Sequence, residues 1–204
     1  MIVMKTSIYT IVILIILQSC TPTPPPAPAA TTYHPMDLSI PNFTNANGYQ
    51  QQNTMDLKTH AYSFTTSQAV TITKLGYRAW AAGITYKLTL WQSGNNTPLG
   101  SVTVTPATTG TMLFYALPTA VSITTGNTYL VSRTYMSGGP TGFVSDYVGS
   151  VANMNGNSVY PYTQQAITFT DGYFTDNANP LLTGSNTVNA PLNTLLPFLD
   201  IEYQ

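Results

Sequence analysis

The stretch ITYKLTLWQ (residues 84–92) decides the fold. Ile84, Tyr86, Leu88 and Leu90 fall on one parity and Thr85, Lys87, Thr89 and Trp91 on the other, the two-residue period of a half-buried strand. The apolar parity predicts a core face and the polar parity a surface face, because a one-residue slip would expose the whole apolar set. Trp91 then ends the surface face, where a strand with nothing to bind more often carries another Thr or Lys.

Upstream, Val70 and Ile72 share a face, after which Leu75, Tyr77 and Ala79 point together while Arg78 and Trp80 point the other way. One extra residue near Lys74 and Leu75, a β-bulge, accounts for the change. Ala81-Ala82-Gly83 predicts a short turn pairing this run with residues 84–92 as a hairpin. Downstream, SGNNTP (93–98) is a second turn, and Val102 and Val104 then alternate with Ser101, Thr103 and Thr105 to complete a β-meander. Residues 112–117 are apolar on both faces and stop at Pro118. Val121 and Ile123 begin a new alternation, and TYLVSRTYM (128–136) is the next strand. Residues 137–157, rich in Gly, Asn and Ser, read as a long surface loop. Strand-like runs return at 158–162, 166–170 and 198–203. Short strands spaced by turn signals predict an all-β fold, a single jelly-roll-like β-sandwich.

Composition agrees with this reading. Only 6% of the 204 residues are charged, against roughly a quarter in an ordinary soluble domain. Long surface helices normally draw on Lys and Glu, so the shortage favours strands and turns. A net charge of −1 offers no attraction to nucleic acid or to an anionic membrane. Cys20 is the sole cysteine, so no intramolecular disulfide can brace the fold.

The first twenty residues read as an export signal: Lys5 supplies the positive region, IYTIVILIIL (8–17) the apolar core, and Leu17-Gln18-Ser19-Cys20 its close. A membrane-spanning helix would need about 20 apolar residues, and this run is about half that. Leu three residues before Cys, with a small residue directly preceding it, resembles the lipobox of bacterial lipoproteins. Gln18 is larger and more polar than is usual there. The resemblance implies that Cys20 is lipidated and becomes the first mature residue, and thus a membrane partner held through the lipid. Thr21 follows rather than the Asp that resembles an inner-membrane retention signal, so the outer membrane is the expected site. TPTPPPAPAA (21–30) can form neither helix nor central strand; as polyproline II at about 3.1 Å per residue it is a spacer on the order of 30 Å. The expected division is signal peptide 1–19, lipidated Cys20 and spacer 20–36, and β-sandwich 37–204.

A second resemblance covers residues 60–136. YSFTTSQAVTITKLGYRAW, YKLTLWQSGNNTPLGSV and ALPTAVSITTGNTYLVSRTY look like an uncharacterised β-sandwich domain of exported bacterial proteins. Leu90-Trp91, Leu99-Gly100, Pro118, Val121 and Gly126-Asn127-Thr128-Tyr129 occupy that family's positions, while Thr111-Met112 replaces its usual Gly-Trp pair. Such domains occur beside carbohydrate-active and adhesive modules, which implies glycan or surface binding by association.

Catalytic chemistry is thin. His34 and His60 are the only histidines, and a Ser-His-Asp arrangement would have to use His60. Asp200 and Glu202 share one strand face about 7 Å apart, a separation conceivable for an acid and base pair. A solvated edge-strand face that discourages aggregation is the stronger reading. Asp171-Gly172, Asp176-Asn177 and Asn179 offer calcium-type oxygen ligands on a turn, with a spacing that fits no standard loop. No metal or other cofactor is therefore expected.

What remains is aromatic surface. Trp80 and Trp91 lie on the polar parity of their strands, and Tyr135, Tyr147, Tyr160 and Tyr162 lie in or beside loops. Sugars stack C–H faces on such rings while neighbouring amides and hydroxyls take their hydroxyl groups. Packing of both tryptophans under loops or against the second sheet is the competing reading. The expectation is a non-enzymatic envelope lipoprotein that binds a glycan or other surface ligand through Trp91 and Trp80, with Tyr135 and Tyr160. The alternative is a structural or adhesive subunit that binds protein, and the third a hydrolase using Asp200 and Glu202.

Overall fold

The computed structural model describes residues 29–39, 43, 48–54, 58–138, 148–177, 188–189, 192–195 and 198–204, with backbone alone at 51–54, 148–150 and 188–189. Cys20, most of the proline-rich spacer and Tyr147 lie outside them. The chain is almost entirely β. In order the elements are α1 (Pro35–Ser39), β1 (Tyr49–Thr54), β2 (Thr59–Thr66), β3 (Val70–Arg78), β4 (Thr85–Gln92), β5 (Gly100–Val104), β6 (Met112–Ile123), β7 (Tyr129–Ser137), β8 (Val148–Asn153), β9 (Tyr162–Gln164), β10 (Ile167–Thr175), β11 (Val188–Asn189), β12 (Thr194–Leu195) and β13 (Leu199–Tyr203).

Two sheets form the sandwich. One is ordered β11-β10-β2-β7-β4-β5, with β9 also on β10; the other is β13-β3-β6. Tyr86, Leu88 and Leu90 from the first meet Ile72, Leu75 and Tyr77 from the second in one core, and the rings of Tyr77 and Tyr86 pack edge to face at 4.9 Å. A third small sheet, β1-β8-β12, places strand β8 inside the stretch expected to be a long loop. YQQQNT and VGSVAN lack the apolar alternation that would have announced them.

Two expected features are corrected here. β3 and β4 do not form a hairpin: residues 79–84 carry the chain from one sheet to the other, so β3 pairs β6 and β13 while β4 pairs β5 and β7. Pro118 does not end a strand. It sits inside β6, where the ladder jumps from Ala116↔Lys74 to Val121↔Ile72, so proline's missing donor falls outside the paired positions. In that excursion Leu117 and Val121 close over Gly100 of β5; a Cβ there would lie 3.3 Å from both side chains. The shift expected near Lys74 is present, with Thr73 the residue passed over.

Residues ahead of 37 join the sheet as well, through Tyr33. Tyr33 and Tyr203 exchange backbone hydrogen bonds at 2.9 and 3.1 Å, and their rings stack at 5.3 Å. β13 would otherwise be a bare edge, and the N-terminal segment covers it.

Candidate functional site

Trp91 keeps the expected parity but not the expected exposure. Only 7% of it is accessible, and Thr89 beside it is equally buried. Its indole N–H donates to Ser132 Oγ of β7 at 3.0 Å. Across the sheet the register sets Ser132 of β7 opposite Thr89, with Ala61 and Ser63 of β2 beyond it, all nearly inaccessible. Both faces of β4 are therefore covered, and Trp91 offers no open ring face for stacking.

Tyr135 and Tyr160 are corrected in the same way. Each is 7% accessible and belongs to the core cluster, and the Tyr135 hydroxyl donates to the Gly138 carbonyl at 2.7 Å. Tyr162 is half-buried, its ring parallel to Phe169 and edge-on to Phe43. Tyrosine's amphipathic character made these rings look like surface ligands, but a ring closing a sandwich end meets the same sequence pattern.

Asp171 lies within β10, not on a turn, and its carboxylate accepts the backbone N–H of Gly172 at 2.8 Å. Asp176 lies in a bend just beyond the end of β10, five residues on and about 16 Å away along nearly extended chain, too far to share one ion, and Asn179 lies outside the described residues. Among the described residues no three His, Cys, Asp or Glu side chains gather at a metal-binding distance.

Asp200 and Glu202 do share a face, but it is not a solvated one. Asp200 is fully buried and Glu202 nearly so. Asp200 accepts the N–H groups of Met36 at 3.0 Å, Asp37 at 2.8 Å and Ile201 at 2.8 Å. Burial pushes its carboxyl up to about 7; the bonds from Asp37, Met36 and Ile201 oppose that, and the charge of Asp37 adds to it. For Glu202 burial also disfavours ionisation, yet the hydrogen bonds from His34, Lys74 and Thr73, with the Lys74 charge, outweigh it and hold this carboxyl below its ordinary value. Those partners stand at 3.0, 3.1 and 3.0 Å. His34 also stacks on Phe114, centroids 4.0 Å apart. The two acids clasp the N-terminal segment to the sheet. His60 is likewise internal, its Nδ1 3.2 Å from Arg133 Nη1 and its ring edge-on to Phe174.

Of the four aromatic residues expected to bind a ligand, the one that reaches the surface is Trp80, 43% exposed. β3 ends at Arg78, Ala79 turns inward, and Trp80 projects beside a concavity of about 280 Å³ lined by Arg78, Ala79, Trp80, Thr109, Gly110 and Phe198. Two backbone bonds set its walls: Arg78 N–H donates to Phe198 O at 2.9 Å, and Gly110 N–H to Ala79 O at 3.1 Å. The Arg78 guanidinium lies 4.9 Å from the centre of the Phe198 ring. Its Nε is buried and makes no hydrogen bond among the described residues. The parity of Arg78 and Trp80 was visible in the sequence. Phe198, 120 positions on, reaches them only because β13 pairs with β3.

The whole is a β-sandwich carrying a small aromatic and cationic surface pocket. No protein-family model matches the chain, and a search of curated proteins returned no match.

Proposed function

We propose that this chain is a non-enzymatic, lipid-anchored β-sandwich of the bacterial cell envelope, carried in the outer membrane, that binds a glycan at the Trp80 pocket. The observation that carries the reading is the half-exposed indole of Trp80 at the rim of a concavity whose other walls are Phe198, Arg78 and Thr109. An exposed ring beside polar groups is what a sugar's C–H face and hydroxyls require. The resemblance of residues 60–136 to exported β-sandwich domains found beside carbohydrate-active modules supports the same reading. The anchor rests on the apolar run that closes at Cys20.

A glycan-array screen of the chain tests the binding, with Trp80→Ala as control. Retained fold and lost binding in that variant support the pocket. If no glycan is bound, the reading falls and a protein-binding envelope subunit takes its place. Cys20→Ala tests the anchor: the variant is expected to leave the membrane fraction and to lack the mass of the acyl chains. Unchanged fractionation and mass would remove the lipoprotein reading.

A further inference from the structure

We propose that the outer edge of β6, residues 112–116, is a docking surface for a second copy of this chain, the two β6 edges pairing antiparallel about a two-fold axis. The pairing does not depend on what the Trp80 pocket binds.

The smaller sheet is guarded at one edge and open at the other. β13 has the N-terminal segment against it, through the Tyr33 bridge. Among the described residues β6 pairs with β3 alone, so every second residue of 112–116 directs its N–H and C=O groups outward with no strand to meet them. Edges are normally protected by charge, proline or a bulge. β6, MLFYALPTAVSI, carries no charged residue, and its proline and ladder jump protect only the part from 117 onward. The charges opposite it on β3 turn away: Lys74 reaches Glu202 of β13 at 3.1 Å, and Arg78 lies over Phe198. Met112, Leu113, Phe114 and Tyr115 are half-buried and Ala116 is exposed. What is left is an uncharged, partly accessible apolar strand. β5, which also pairs on one side only, has Leu117 and Val121 of β6 closed over its first residue.

The edge itself specifies a second copy as occupant. Antiparallel pairing is symmetric under a two-fold axis normal to the sheet, so an identical strand is complementary to this one. Centred on Phe114, it sets Met112 opposite Ala116 and Leu113 opposite Tyr115, with no like charges opposed. With 6 basic and 7 acidic residues in the whole chain, two copies repel little on approach. The axis also decides where the upstream chains go. Leu75 and Tyr77 of β3 face the core, so Gly76 and its partner Phe114 face outward, and His34 stacks on that outer side. A two-fold axis normal to the sheet keeps both outer sides together, and both N-terminal segments then leave from one face. Two chains tethered to one surface require that arrangement, and a shared surface concentrates them. So short an edge buries less than the ~1,200 Å² of a standard interface, so the pair is reversible and fills as concentration rises.

The test is sedimentation equilibrium of the full chain in a detergent density-matched to the solvent, which reads protein mass alone, with hydrogen exchange on the same samples. The mass is expected to double between about 1 and about 100 µM, and the amides of 112–116 should exchange about fivefold more slowly at the higher concentration. Met112→Glu with Ala116→Glu sets carboxylates opposite one another across the axis, while within the chain they stand opposite Arg78 and Lys74. That variant should stay folded and monomeric. A monomer mass for the unaltered chain at the higher concentration overturns the proposal, and so does a dimer that the double variant leaves intact. Should the variant not fold, exchange in the unaltered chain decides: a doubled mass with no slowing at 112–116 puts the contact elsewhere and overturns β6 as the surface.

Discussion

At the scale of single residues, the two tryptophans separate packing from recognition. Trp91 is buried with its N–H satisfied by Ser132, so Trp91→Ala removes a large internal side chain and should cost about 3–5 kcal/mol of stability. Trp80 is half exposed, and Trp80→Ala should cost about 1–2 kcal/mol, well under the loss at Trp91, while weakening sugar binding. Urea unfolding of the two variants checks both figures; equal losses would mean that Trp80 is also structural. The sequence placed both tryptophans on the correct parity and misjudged one of them, because parity tells which face a side chain takes but not whether another part of the chain covers that face. The polar parity of β4, Thr89 and Trp91, is covered. Arg78 carried no sequence signal as a wall of the concavity, since a lone arginine on a polar face usually stays solvated.

At the scale of elements, the informative strand is β3 with its neighbours. Gly76 pairs with Asp200 on one side and Phe114 on the other, and a Cβ there would stand 2.8 Å from the Phe114 ring and 3.1 Å from the Asp200 Cβ. Both neighbours are already engaged, Phe114 under His34 and Asp200 under the first turn of α1. Gly76→Ala should therefore destabilise by about 1–3 kcal/mol through overpacking, and hydrogen exchange should show the loss first in the amides of β13 and α1. Protection unchanged in those two elements would mean that the neighbours can move aside. Alternation made β3, β4, β5 and β7 legible from the sequence. β6 was read as two pieces because proline normally ends a strand, and here the ladder itself steps aside. The clasp of residues 33–39 was hidden by composition: His34 and Pro35 continue a proline-rich run, and the partners of His34 and Met36 are more than 160 positions away.

At the scale of the whole molecule, the two clasping acids give stability opposite dependences on pH. Asp200 has its carboxyl raised from 3.8 to about 7, so the folded state holds a proton that the unfolded chain has released between those values. Its contribution is fully present below about 3.8 and is lost as pH rises through about 7. Glu202 is lowered, so its contribution is present above its ordinary value of 4.5 and is lost as pH falls through the folded one. Between about pH 5 and pH 7.5 Asp200 dominates, and urea midpoints should fall as pH rises. Asp200→Asn cannot titrate and should flatten that slope, at the cost of one acceptor for Asp37. A slope of the same size in the variant would show that another group carries it.

The pairing of Tyr33 with Tyr203 has a mechanical consequence. Tension drawn through the upstream chain meets the Tyr33 bridge, then the Glu202 and Asp200 contacts, one after another rather than side by side. Bonds loaded in series part singly, each at low force, whereas those within the sandwich share their load. The segment 33–39 reaches at most about 24 Å when extended, and the excess of that length over its folded span would be released before any pull reached the core. A force–extension trace from residue 29 to the sandwich should show that short yield ahead of the main rupture, and a single rupture would mean that strap and sandwich give way together. The clasp works as a fuse between whatever holds the chain and the body that has to stay folded.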